Sequence, residues 1–277
     1  MSSAATPTPV SYLWRDGALN AVDNDAFADA TIAVADSWLV HDGTALALNL
    51  HRARFAGSLR DELGERTTAD LDTLGFDAFW AAVIEVIPRT GDWFPRIELQ
   101  RDSGVAALVL RLRGAPARSE SVIIISHRGD DPRTRPRVKG PDLASLGAIR
   151  SHVTHLGAGE VVILSPEGFI VEGAYSALLW WRGDTLCAPP DDLDRVDSVT
   201  ARSVLTVAAA LGIEMLNEPA TPADLDGLEI WALSSLHGIR IVTRWIDGPR
   251  PAEQPGRLRA WRARLGKLSR PLATVKM

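Results

Sequence analysis

The chain has 277 residues, 46% of them apolar, and a formal net charge of −5. A chain of that size and composition can bury a large core, and it predicts an ordered α+β protein of two lobes. Charges of both signs are interspersed, with no stretch joining basic residues to stacking aromatics, which argues against a nucleic-acid surface; no apolar run approaches the roughly 18 residues of a membrane span.

In chain order, MSSAATPTPV has neither a basic n-region nor an apolar h-region, so a cytoplasmic protein is expected. SYLWRDGALNAV and TIAVADSWLVHDGTALAL each set a D-G pair between apolar arms and predict hairpins. LNLHRARFAGSLRDEL carries Leu50, Phe55 and Leu59 at helical spacing, and FDAFWAAVIEVI predicts a second helix that stops before Pro88. RIELQRDSGVAALVLRLR and SVIIIS return to strands. The polar SHRGDDPRTRPRVKGP then predicts an interlobe connection, dividing the chain into a small lobe over 11–133 and a larger one over 134–277. DLASLGAIRSHVTHLG predicts a helix, and EVVILSPEGFIVEGAYSALLWWRGDTLCAPP a meander with PEG and GD turns. VTARSVLTVAAALG predicts a helix, EIWAL and IRIVTRWIDG strands, and RLRAWRARLGKLSR a solvated basic terminal helix.

Several chemistries find little support. Cys187 is the only cysteine, so an internal disulfide and a cysteine-based zinc site are excluded. His152 and His155 lack a carboxylate-rich partner motif and read as surface histidines, so no metal is expected. Neither G-x-S-x-G nor S-x-x-K occurs, although Ser234 and Ser235 before His237-Gly238 could bind an anion through hydroxyls and backbone N–H groups. The 30 basic residues include three lysines, Lys139, Lys267 and Lys276, leaving 27 arginines. Arginine keeps a fixed charge, whereas a lysine amine can be deprotonated and form a Schiff base, so Lys139 in RVKGPDL draws attention.

Five fragments, HRARFAGS, RVKGPDL, GFIVEGAYSALLW, DSVTARSVL and ALSSLHGIRIV, occur in an order that resembles the fold-type IV pyridoxal-phosphate enzymes. That family includes branched-chain and D-amino acid aminotransferases and 4-amino-4-deoxychorismate lyase. The resemblance spans about residues 15–248 and implies a two-lobed α+β fold like that of the D-amino acid aminotransferases, with pyridoxal 5'-phosphate in the interlobe cleft. It implies a role for each matching residue. Lys139 is the Schiff-base lysine, carried by the larger lobe. Arg54 in HRARF holds the cofactor phosphate through charge-assisted bonds. Glu172, 33 residues beyond Lys139, pairs with the pyridine nitrogen and sustains the electron sink; its apolar neighbours Val171 and Ala174 favour a buried, partnered carboxylate. Ser198, Val199 and Thr200 form the helix start that binds phosphate, and Ser235 lies in the last phosphate or substrate loop.

The family's G-D-G-x-F-E-T is missing from ADATIAVADS, its usual Asn is Ala177, its Gly before V-T is Ser198 and its following Arg is Ala201. SSLHGIRIVTRWIDG resembles the lyase branch, implying release of pyruvate and 4-aminobenzoate from aminodeoxychorismate. The alternatives are a class IV aminotransferase acting on an amine and a 2-oxo acid, and a non-catalytic member that keeps the fold. A homodimer is expected from the resemblance and from nine tryptophans whose large faces suit an interface.

Overall fold

The computed structural model describes residues 8–23, 27, 30–64, 74–102 and 105–273. Its elements are β1 (Val10–Arg15), β2 (Ala18–Val22), β3 (Thr31–Ser37), β4 (Val40–His41), β5 (Thr44–Leu46), α1 (Leu48–Leu63), α2 (Phe76–Val86), β6 (Asp92–Trp93), β7 (Arg96–Asp102), β8 (Val105–Leu112) and β9 (Ser121–Ser126). They continue with α3 (Leu143–Val153), β10 (Glu160–Leu164), β11 (Ile170–Gly173), β12 (Ala177–Arg182), β13 (Thr185–Ala188), α4 (Val199–Ala210), β14 (Met215–Asn217), β15 (Glu229–Ser234), β16 (Gly238–Ile246), α5 (Arg257–Gly266) and β17 (Ser269–Pro271).

Two compact units emerge, and their boundary differs from the predicted division at 133/134. Among the described residues, the first takes those up to Ala117, the short stretch Val138–Pro141 and those from Leu268; the second takes Arg118–Arg137 and Asp142–Lys267. The last strand returns to the first unit because β17 pairs with β5. Val138–Pro141 joins it because the Ala35 N–H donates to the Lys139 carbonyl at 2.7 Å. Lys139 therefore belongs to the first unit, not to the larger C-terminal lobe. Lys276 and the first seven residues lie outside the described residues.

In the first unit the order β2-β1-β8-β7-β3 makes a five-stranded sheet, and β17-β5-β4-β6 a smaller one. Asp16-Gly17 and Asp42-Gly43 close the two predicted hairpins with positive φ at both positions, as tight two-residue turns require. The second hairpin is shorter than TIAVADSWLVHDGTALAL suggests. Its first arm breaks after Ser37, leaving β3 in the large sheet and only β4 and β5 to pair across the turn. Helix α1 packs Phe55, Ala56 and Leu59 into a core with Phe76, Phe79, Trp80 and Val83 of α2 and Val34, Ile97, Leu99 and Leu110 of the sheet. Helix α2 stops where Ile87 turns extended ahead of Pro88, whose ring disfavours a helical predecessor.

The second unit is built on one eight-stranded sheet, β11-β10-β9-β16-β15-β12-β13-β14. Strand β9 pairs parallel with both β10 and β16, and the predicted meander runs antiparallel around this centre. Helix α5 is not a merely solvated tail. It buries Trp261, which stacks edge-on with Trp181 and Trp231 at ring distances of 5.5 Å, while Arg257 lies 4.3 Å from the Trp181 ring. Trp38, Trp80, Trp180, Trp181, Trp231, Trp245 and Trp261 are all buried, so most tryptophans serve the cores and do not supply the interface expected of them.

Trp231→Ala should therefore cost about 3–5 kcal/mol of unfolding free energy in denaturant melts, whereas the half-buried Trp93 should cost far less when truncated.

Candidate active site

In the first unit a single strand organises the candidate residues. Helix α1 places His51 and Arg54 three residues apart, which brings both side chains to one face of the helix. That face meets Asp36 of β3, which is fully buried. Arg54 grips the carboxylate with two parallel bonds, Nε to Oδ2 and Nη2 to Oδ1, each 2.8 Å. The His51 Nδ1 donates to Oδ1, also at 2.8 Å. Burial alone would raise the Asp36 pKa, but Arg54 and His51 outweigh it and hold the carboxyl well below the usual range. His51 is driven below its ordinary value, first by burial and also by the charges of Arg54 and Lys139, against the opposing pull of Asp36. It is thus a neutral imidazole with its proton on Nδ1, within electrostatic reach of the Lys139 amine.

The neighbour of Asp36 fixes the lysine backbone through the Ala35 bond described above. Gly140 makes this close approach feasible: it sits at φ +135°, and a Cβ there would lie 2.6 Å from the Ala35 nitrogen and 2.7 Å from the Val34 carbonyl carbon. On the opposite face of the sheet, Glu98 is fully buried and accepts hydrogen bonds from Arg96, Gln100 and Arg111.

In the second unit Glu172 ends β11 as a buried, partnered carboxylate. Its Oε1 accepts from Nη1 of Arg133, and its Oε2 from the Val196 N–H at 3.3 Å. Arg133 is almost sealed from water and also forks onto Asp131, with Nη2 to Oδ2 at 2.7 Å and Nε to Oδ1 at 2.9 Å. Burial would lower the Arg133 pKa, but the two carboxylates raise it. Ser198 caps α4, its Oγ accepting from the Ala201 N–H at 3.2 Å, and Val199 and Thr200 are the first two helical residues. The leading N–H groups of a helix point outward without intrahelical acceptors, and the first turn of α4 carries no acidic side chain, so this end suits an anion. Ser235 lies in the turn between β15 and β16. There Ser234 Oγ accepts from the His237 N–H at 3.3 Å, and partial burial, with Arg240, Arg150, Arg262 and Arg118, pushes His237 down to about 4.

The structure thus brings Arg54 and Lys139 to one strand of the first unit, and Glu172 and the 198–200 helix start to the second. Sequence reasoning missed Asp36 and the pairing of Arg133 with Glu172. Asp36 sits in ADATIAVADS, a fragment whose pattern draws notice only for a missing glutamate, and Arg133 lies in the polar connection with no motif of its own. His152 and His155 stack edge-on and exposed, and no group of three or more metal-ligating side chains occurs among the described residues.

A family model described as amino-transferase class IV matches residues 33–245. Among solved structures, a hypothetical aminotransferase from Mycobacterium tuberculosis in PLP-bound form is 20% identical, covering 94% of this chain and 98% of that one at a TM-score of 0.72. A fold IV transaminase from Curtobacterium pusillum is 18% identical, with 93% and 99% covered and a TM-score of 0.73. The T.th. branched-chain amino acid aminotransferase, complexed with N-(5'-phosphopyridoxyl)-L-glutamate, is 15% identical, with 95% and 98% covered and a TM-score of 0.75. No curated protein sequence matches significantly. At these identities the solved structures establish a shared fold-type IV architecture.

The lowered pKa values of Asp36 and His51 make stability depend on pH with a definite sign. Unfolded histidine protonates near 6.5, so the contribution of His51 is complete above that value and is lost as pH falls below it toward the lowered folded pKa. The contribution of Asp36 is present above 3.8 and is lost as pH falls further. Thermal midpoints measured from pH 8 down to pH 3 should begin to fall near pH 6.5 in the wild type, and His51→Gln should reduce the slope between about pH 7 and 5 to the share left to His237.

Proposed function

Because the chain belongs to the class IV aminotransferase family, whose model covers 33–245, we propose that it is a pyridoxal-phosphate enzyme that transfers an amino group from an amino-acid-like substrate to a 2-oxo acid. The observation that carries this reading is the span of the match, which includes Arg54, Lys139, Glu172, Ser198, Val199, Thr200 and Ser235. The residues suit the group in chemistry: a lysine amine, a buried carboxylate for a ring N–H, and a guanidinium and helix start for a phosphate.

Pyridoxal phosphate supplies an electron sink for the bonds at the amine-bearing carbon. Lys139 would hold it through Nζ, and its amine would move a proton at the substrate's α-carbon as general base and acid. His51, a neutral neighbour beside the charged Asp36–Arg54 pair, adds no positive charge of its own near that amine. Glu172 keeps a proton on the ring nitrogen. Its two oxygens are oriented by Arg133 and by the Val196 N–H. Arg54 in the first unit would suit a phosphate by charge, and Ser198, Val199, Thr200 and Ser235 in the second by helix-start N–H groups and hydroxyls.

The lyase reading is favoured by one segment, SSLHGIRIVTRWIDG, and makes the same proton transfer end in loss of pyruvate and aromatisation to 4-aminobenzoate. The family description favours the aminotransferase. A homodimer in the cytoplasm belongs to the same reading and rests on the family resemblance; no helix among the described residues is long and apolar enough to cross a membrane.

Purified protein loaded with pyridoxal phosphate should absorb near roughly 410–430 nm, and borohydride should bleach the band and fix the cofactor on Lys139. Mapping of the adduct to Lys267 or Lys276 would refute the assignment. Single-turnover mixing with amino acids should yield the aminated cofactor and a 2-oxo acid, while pyruvate from aminodeoxychorismate alone would turn the reading to the lyase.

Glu172→Gln should retain the cofactor and its bond to Lys139 but lose on the order of 10² to 10⁴ in turnover, as for other positioned proton-handling groups. Loss of cofactor in step with turnover, or an unchanged rate, would remove Glu172 from this role.

A further inference from the structure

Asp36 belongs to none of the residues assigned above, yet it is where two side chains of α1 converge. We propose that Asp36 is a positioning residue for phosphate recognition: it holds the Arg54 guanidinium in one plane and orientation from behind. The inference rests on the reading that Arg54 grips the cofactor phosphate.

The geometry is that of a fixed fork. Arg54 is a long side chain with many rotamers, and two parallel 2.8 Å bonds to one carboxylate leave it a single orientation. A guanidinium offers two edges for paired bonds. Asp36 takes the edge containing Nε and so sets the orientation of the edge formed by the two terminal nitrogens. The carboxylate cannot swing away, because it is sealed from water and His51 holds Oδ1 from a second direction at 2.8 Å. The same strand carries the Ala35 N–H that fixes the Lys139 carbonyl, so the phosphate grip and the amine backbone share one rigid support.

An opposing effect has to be weighed. A buried anion behind the arginine also repels an approaching phosphate, and on that ground alone its removal would tighten binding. Burial decides the outcome: the Asp36 side chain is 0% exposed and that of Arg54 11% exposed. Leaving so buried a guanidinium without the Asp36 charge costs more than a bond to phosphate returns, so the side chain turns away instead of serving the phosphate with a full charge.

The test compares pyridoxal 5'-phosphate with pyridoxal, which lacks the phosphate, titrated into the full chain and scored by borohydride trapping on Lys139. Asp36→Asn should weaken pyridoxal phosphate about tenfold to a hundredfold, the worth of a charge-assisted bond, while leaving pyridoxal unchanged. Arg54→Ala should do the same, and adding Asp36→Asn to it should cause no further loss, because the aspartate acts through the arginine. Equal losses for both probes would mean that Asp36 only supports the fold. Undiminished or tighter binding of pyridoxal phosphate by Asp36→Asn would overturn the proposal directly. Should that variant fail to fold, Asp36→Glu keeps the charge but displaces it by a methylene, and an unchanged phosphate preference there would overturn it equally. If Arg54→Ala keeps its preference for the phosphorylated probe, the assignment of Arg54 itself has failed, a result separate from any behaviour of Asp36.

Discussion

A carboxylate sealed from water must be neutralised where it stands, and in the first unit that requirement falls on Asp36 as it does on Glu98. Burial of an isolated charge costs many kcal/mol, so the fold is consistent only if α1 delivers a cation and a donor to the same point of β3. Arg54 and His51 meet it, both from one face of the helix. The pair does more than offset a charge. It fixes how α1 lies against β3, and α1 in turn carries Phe55, Ala56 and Leu59 into the core. A buried ion pair contributes little net stability compared with apolar residues of the same volume, but it tolerates only one arrangement. Here that arrangement places a guanidinium beside the strand on which Lys139 is pinned.

The second unit uses the converse arrangement, a nearly sealed cation between two anions. Arg133 is forked onto Asp131 and reaches Glu172, so the loop that leaves β9 is tied to the end of β11. Glu172 thereby has one oxygen held by a charged side chain and the other by the Val196 backbone, just before the cap of α4. The carboxylate and the helix start at Ser198 share a short connection, 196–198, that passes from one to the other. Both units thus place candidate chemistry on groups whose orientation is fixed by neighbours that no motif contains.

Local elements are legible in the sequence because local chemistry decides them. The D-G turns, the stop of α2 before Pro88, the helix over 48–63 and the meander from Glu160 to Ala188 all follow from turn residues and apolar periodicity. The motif residues Arg54, Lys139, Glu172 and Val199–Thr200 stand out for the same reason, each being embedded in a recognisable neighbourhood. What escapes is non-local. Asp36 pairs with residues 15 and 18 positions on, and Arg133 with one 39 positions on, so neither spacing has a periodic signature. The unit boundary differs from the expected one because the connection looks uniformly polar, while its fate turns on Gly140, whose missing Cβ lets four residues dock against β3. The tryptophans suggest an interface because composition cannot distinguish a surface aromatic from a core one; seven of them fill cores.

The departures from the family pattern have structural replacements. Where a Gly usually precedes V-T, Ser198 caps α4 and its Oγ takes the Ala201 N–H, so one donor of that helix start is used within the chain. Val199 and Thr200 remain the leading N–H groups of a first turn with no acidic side chain, which is what anion binding requires. Where an Asn is usual, Ala177 is buried at the start of β12, and the preceding Ser176 donates its Oγ to Glu160 at 2.9 Å. Ala201 fills a buried position where an arginine would have to be accommodated. Lys139, Glu172 and Arg54 stay at their motif positions, so under the proposed reading these exchanges bear on substrate recognition.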